Sequence, residues 1–330
     1  MVDLKLAQSF SMIALNAQNS IYMNTAKKAG LRCMAAAVIL EAYLDNGFAE
    51  TEDKLIIQKE IIDQYSTMNY HESVLKTLIH KNGGEKRELK WWLIKASMLP
   101  KRQLVELEHK IANSLKEIDL LEEIPGILGC DLYYATAGID MKEYRSNIQE
   151  YTRITENIRA DILEDGLITD ETICMLWLLR ESGCMHDFFS RNEIEKVAEK
   201  MNELYQSDSL AKAIFPIHIY RGIEMFIKEF LRMKKAVMTT PFGTGVNFVF
   251  PILERSRSVF IETEEYFSNS NKRLEDVKAR LISNGHEFTV LHEGTVPVIK
   301  IDNIIYEAIP HAVIMKMPIH GVRLRPKHLI

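Results

Sequence analysis

The chain has 330 residues, 47% of them apolar and 26% charged, with a net charge of −5; this is length enough for two domains, and the composition excludes a disordered, collagenous or disulfide-stapled chain. No bulk positive charge is available, so contact with a membrane must be local, and nucleic acid is not expected as a partner. The longest nearly uncharged apolar stretch near the start, residues 33–40, falls far short of the ~20 residues that cross a bilayer, and Asp3 with no cleavage-like pattern points to a cytoplasmic protein.

The elements follow in chain order. An apolar opener, Phe10-Ser-Met-Ile-Ala-Leu15, precedes Ala29-Gly-Leu-Arg-Cys-Met34, which leads into an apolar helix to Leu44 and a turn at Asn46-Gly47. Trp91 and Trp92 sit side by side on a helix, about 100° apart, so one of them should face the core. Leu104, Leu107, Ile111, Leu115 and Ile118 recur at helical spacing, as do Tyr144, Ile148, Tyr151, Ile154, Ile158 and Ile162. Both runs predict amphipathic helices, over about 101–121 and 142–164. Between them, the glycine-punctuated stretch from Ile124 to Ile139, with Tyr133 and Tyr134 as good strand formers, predicts a projecting β-hairpin. Ile194, Val197, Met201 and Leu204 predict a helix capped by Ser190, and Ser209–Met233 reads as one long central helix.

The texture changes near residue 238. Three prolines precede residue 240 and six follow it. Strands are expected at Val259–Glu262, Glu287–Leu291, Val296–Ile301 and Ile304–Ala308, with a helix over Lys272–Asn284. The fold class is therefore a mainly α N-terminal domain with a projecting β-hairpin (1–238), a linker (239–254) and a small C-terminal α+β domain (255–330). Thr295-Val-Pro297 before Val298-Ile-Lys-Ile301 looks like the proline-bearing strand of thioredoxin-like domains. No cysteine follows Cys184, however, so thiol–disulfide catalysis by this unit is excluded.

In the order of its parts, from the Phe10 opener through Gly30-Leu-Arg32, Trp91-Trp92, the Leu104 helix and the hairpin to residues 169–179, the chain resembles the Golgi phosphoprotein 3 family over about residues 1–235. The resemblance implies a non-enzymatic adaptor or peripheral membrane protein that binds phosphoinositide head groups and self-associates through its hairpin. Carried over residue by residue, the family's Gly-Leu-Arg arginine is Arg32. Its membrane-inserting tryptophan falls on Met23, beside Tyr22, and its two helix arginines fall on Val105 and Glu108, so that pair is absent. Lys28, Arg32, Lys101, Arg102 and Lys110 are then the candidate anion-binding residues, Tyr22 and Met23 the membrane contact, and Leu132, Tyr133 and Tyr134 the self-association surface. A lysine supplies charge without the bidentate fork of arginine.

The remaining constellations are weaker. His286, His292, His311, His320 and His328 crowd the C-terminal part, but no pair has i, i+4 or His-x-His spacing, so no metal is expected. Phe242-Gly-Thr-Gly245 lacks the lysine of a P-loop and reads as a linker. Cys33, Cys130, Cys174 and Cys184 form no C-x-x-C pair and are expected to be buried thiols. Lys316, Arg323, Arg325 and Lys327 read as a solvated basic tail, and Lys228, Arg232, Lys234 and Lys235 as charges at a helix C-terminus. No nucleophile–base pair can be placed, so neither an enzyme nor a cofactor is expected. The alternative to lipid binding is a cytosolic module that binds a protein partner.

Overall fold

The computed structural model describes residues 3–51, 54–57, 69–82, 85–164, 166–219, 239–240, 243–244, 257–264, 270–314 and 318–327. The N-terminal part is mainly helical. α1 (Leu6–Leu15) and α2 (Thr25–Leu44) are buried nearly all round. The Asn24 side chain caps α2 by accepting from Lys27 N at 2.7 Å. Asn46 takes a left-handed φ of 57° and turns the chain into the hairpin β1 (Phe48–Thr51) and β2 (Lys54–Ile57). Then follow α3 (Asn69–Asn82), α4 (Leu89–Ser97), with Trp92 buried and Trp91 half-buried, and α5 (Lys101–Lys116). α2 packs against α1, α3, α4, α5 and the later α8 (Asp170–Ser182), which is why it carries apolar side chains on every face.

β3 (Leu121–Pro125) and β4 (Lys142–Ser146) pair antiparallel, Leu121 opposite Ser146. The hairpin expected over 124–139 is corrected here. Its strands lie outside that stretch, and the segment between them forms a 3₁₀ turn (Ile127–Cys130) and a short helix, α6 (Leu132–Ala137), closed by Gly138 at φ 64°. Tyr133 and Tyr134 are therefore helical, because Asp131 caps the helix by accepting from Tyr133 N at 3.0 Å, a local signal stronger than tyrosine's preference for strands. Nor does the insertion project freely, since Ile127 and Cys130 are buried in the second core. Tyr144 likewise lies in β4, and α7 (Ile148–Leu163) begins after the Asn147 cap.

α8 is followed by a 3₁₀ turn (Cys184–Asp187), α9 (Arg191–Ser207), capped by Ser190 through a capping box, and α10 (Ser209–Ile214). The single helix expected over Ser209–Met233 ends at Ile214. Pro216 cannot donate a helical N–H, and the Ile217 carbonyl accepts from Trp177 Nε1 and Arg180 Nη2. Lys228, Arg232, Lys234, Lys235 and Phe242 lie outside the described residues, as does most of the expected linker. Within it, β5 (Thr239–Thr240) pairs with β6 (Gly243–Thr244).

The C-terminal unit is a five-stranded antiparallel sheet with one helix. Its strands are β7 (Val259–Glu262), β8 (Phe288–His292), β9 (Val298–Ile301), β10 (Ile304–Ile314) and β11 (Pro318–Pro326), in the order β7-β11-β10-β9-β8. α11 (Ser270–Ser283) covers the sheet with Leu274, Val277 and Leu281. A thioredoxin-like topology needs parallel neighbours, whereas among the described residues every strand pair of this sheet is antiparallel. The expected basic tail is instead β11, with Arg325 paired to Glu307 across the ladder at 2.7 Å; Lys316 and His328 lie outside the described residues. The described residues thus form two cores, and Ile127 and Cys130 of the β3–β4 insertion belong to the second of them.

Candidate functional site at the domain junction

The junction is built where β4, the β3–β4 insertion and the loops flanking β8 to β10 converge. Asn303 is buried and donates through Nδ2 to Asn16 Oδ1 at 3.0 Å and to the Ser146 carbonyl at 2.8 Å. Its neighbour Asp302 turns the β9–β10 hairpin at a left-handed φ of 51°, a conformation that aspartate tolerates better than most residues. Arg145 on β4 holds Asp302 Oδ1 at 3.1 Å and reaches the Gly285 carbonyl at the same distance. On its other oxygen, Asp302 meets His286 Nδ1 at 2.9 Å. His286 Nε2 is buried with no hydrogen-bond partner. The Asp131 side chain ties the insertion to the sheet by accepting from Phe260 N at 2.7 Å.

The electrostatics follow from burial in a shared pocket of charge. Burial alone would lower the His286 pKa, but the hydrogen bond to Asp302, with a smaller contribution from Cys130, reverses this and raises it to about 10. Glu143, on β4, is pushed up to about 7 by burial, against the opposing pull of His286 and of a hydrogen bond from Ile127 N. The residue as a whole is half-buried, while its carboxylate lies at the foot of a cavity of about 560 Å³. Donor atoms of Glu143, His286 and Asp302 lie within 4.8 Å of one another, a spacing that a cation could use. The protonated imidazole and the Arg145 guanidinium already balance the two carboxylates, however, so the cluster reads as an ion-pair network.

The cavity above Glu143 is lined by Tyr22 and Met23 from the loop before α2, by Tyr134 and Ile139 from the insertion, and by Arg257 and Tyr306 from the C-terminal unit. The sequence-predicted membrane contact and part of the predicted self-association surface thus meet around one opening. Leu132 is half-buried at the start of α6 and Tyr133 is exposed beside Tyr134. None of the five predicted cations lines the cavity. Lys28 follows on the first turn of α2, and Arg32 is half-buried one turn on. Lys101 and Arg102 are exposed at the start of α5, with Lys110 about 13 Å further along it, paired to Glu106.

At the position where the resembled family carries an arginine, Glu108 is buried and paired with Lys27 at 2.6 Å, and it accepts from the Tyr144 hydroxyl at 3.1 Å. Its charge is spent inside the protein. Lys27 also donates to the carbonyls of Asn19 and Ser20, so the pair fixes the loop that carries Ile21 and Tyr22. Sequence reasoning missed Glu143 and Asp302, and weighed His286 only as one of five C-terminal histidines without metal-ligand spacing. Asp302-Asn303 between two apolar strands signals a two-residue turn, but nothing local reveals what that turn faces.

Compared with known proteins, the chain matches no family model and no curated sequence. Among the described residues, no helix is long and apolar enough to cross a membrane.

Proposed function

We propose that the protein is a peripheral adaptor that docks on an anionic lipid surface through the rim of the junction cavity. The supporting observation is the cluster of exposed apolar side chains there. Ile21, Tyr22 and Tyr133 are 57%, 58% and 69% exposed, and Ile139 is 41% exposed. Amphipathic tyrosine suits a boundary between water and lipid. Lys142 sits beside this loop, its carbonyl accepting from Ser20 N at 2.9 Å, and Arg257 lines the same opening. Each basic residue near an anionic membrane contributes about 1 kcal/mol.

Co-sedimentation with liposomes tests this reading, comparing neutral lipid with lipid carrying phosphatidylinositol 4-phosphate or phosphatidylglycerol at low and physiological salt. Salt-sensitive binding to the anionic vesicles is expected. The double variant Ile21→Ser/Tyr22→Ser should weaken it at least about tenfold, because partial burial of two large apolar side chains contributes about 2 kcal/mol. Absence of binding at low salt, or a variant that binds as well as the parent, would leave the same face as a protein-docking surface and remove the lipid reading.

A further inference from the structure

We infer that the junction cavity binds a small aromatic amine, whose ammonium group is held by the Glu143 carboxylate and whose ring packs among tyrosines. The inference does not rest on membrane docking, and its test contains no lipid. The cavity, of about 560 Å³, has room for such a molecule. Its walls bring one carboxylate, that of Glu143, together with the rings of Tyr22, Tyr134 and Tyr306 and the apolar side chains of Ile127 and Ile139. A cation beside aromatic faces is attracted by their negative charge distribution, the more so where water is excluded. Arg257 lines the same cavity and disfavours a ligand with a second positive charge.

Glu143 lacks a cation of its own. Arg145, two residues along β4, divides its contacts among Glu122 at 2.7 Å, Asp302 at 3.1 Å and Glu287 at 3.8 Å. His286 meets Asp302 at 2.9 Å. Among the described residues, four carboxylates thus share two cations around β4, and Glu143, which accepts from Ile127 N, is the one left without an ion pair. A buried carboxylate without its counter-charge is costly, and an ammonium group entering by the cavity supplies that charge. A metal ion would have to take Asp302 or His286 out of the existing network, whereas an ammonium group on the cavity side of Glu143 leaves the network intact.

The chain also keeps space free at this carboxylate. A Cβ on Gly126 would stand 3.1 Å from Glu143 Oε2 and 3.4 Å from the Met141 carbonyl oxygen. The backbone there, at φ −71° and ψ 148°, is open to any residue. Conformation therefore does not call for glycine at 126, but an open foot to the cavity does.

Only the ionised carboxyl can hold an ammonium group. The groups that face Glu143 are His286 and Asp302 from the C-terminal unit, Arg257 and the three tyrosines across the cavity, and Arg145 on its own strand. With Glu143 pushed up to about 7 and His286 to about 10, Glu143 is the group that titrates between pH 5 and pH 8. Affinity should be full above pH 7 and fall as the carboxyl takes up its proton, by roughly 50–100-fold at pH 5 relative to pH 8.

Titration calorimetry on the full-length protein tests this with three probes: tyramine, 3-(4-hydroxyphenyl)propionate, which carries a carboxylate in place of the amine, and ethylamine, which lacks the ring. Tyramine should bind one to one at pH 8 with a Kd below about 1 mM, and the other two at least about tenfold more weakly. Glu143→Gln, which should be at least as stable as the parent at pH 8, should weaken tyramine at least about tenfold and flatten the pH dependence. Gly126→Ala, with folding checked by its melting temperature, should weaken it by a similar factor, because its methyl group takes the space at the carboxylate. No saturable tyramine binding, equal binding of the propionate, an unchanged affinity in Glu143→Gln, or a flat profile from pH 5 to pH 8 in the parent would each overturn the proposal.

Discussion

Replacing Glu143 by glutamine should stabilise the protein at alkaline pH and leave it unchanged in acid. Burial raises this carboxyl from 4.5 to about 7, so the folded state prefers it protonated. An acid whose folded-state pKa lies above its unfolded value contributes stability that is complete below about pH 4.5 and is lost as pH rises through 7. A gap of about 2.5 units at 1.36 kcal/mol per unit sets a ceiling of about 3 kcal/mol, of which about 2.5 kcal/mol is lost between pH 5 and pH 8. Glutamine has the same shape and its carbonyl oxygen can still accept from Ile127 N, so only the ionisation is removed. Urea unfolding followed by circular dichroism at pH 5 and pH 8 measures this. Glu143→Gln should gain about 2–3 kcal/mol over the parent at pH 8 and under 1 kcal/mol at pH 5. Equal gains at both pH values, or a loss at pH 8, would mean that the carboxylate is better solvated than its place at the foot of the cavity implies.

Three further perturbations probe the frame around the site. Lys27→Met leaves Glu108 buried without its cation and should cost about 3–5 kcal/mol. Lys27→Met/Glu108→Leu should recover most of that in urea unfolding, and a single-variant cost under about 1 kcal/mol would show that the pair is not structural. Gly321→Ala places a Cβ 2.2 Å from the Ile261 carbonyl oxygen and 2.8 Å from the Phe260 ring. The β7–β11 ladder must then part, costing at least about 2 kcal/mol, and a melting temperature within two degrees of the parent's, about the width of a negligible effect, would refute that crowding. Asn303→Ala removes both hydrogen bonds from the β9–β10 turn to Asn16 and Ser146 and should destabilise by about 1–3 kcal/mol. Faster hydrogen exchange confined to the junction amides is expected, and a uniform change across both cores would count against a local role.

The sequence by itself determined the elements whose signal is local. Ser190 before the Ile194 periodicity predicted the start of α9, and the periodicity from Leu104 to Leu115 predicted α5. Alternating apolar residues and the change in proline usage located the C-terminal unit with most of its strands. Where two local signals competed, as at Asp131 before Tyr133 and Tyr134, the reading failed, because a capping carboxylate and a strand-forming pair give opposite instructions to the same four residues. β11 was missed because its basic residues alternate with apolar ones on a strand half-open to solvent, a pattern that a solvated tail imitates. The junction was not legible at all. Glu143, His286 and Asp302 come from three separate segments, and each is unremarkable among its neighbours in the chain. Only the tertiary packing, by burying Ile127 and Cys130 in the second core and anchoring Asn303 on the first, brings them within reach of one another and out of water, and it is the loss of water that gives their charges and protons the values on which any function of this site depends.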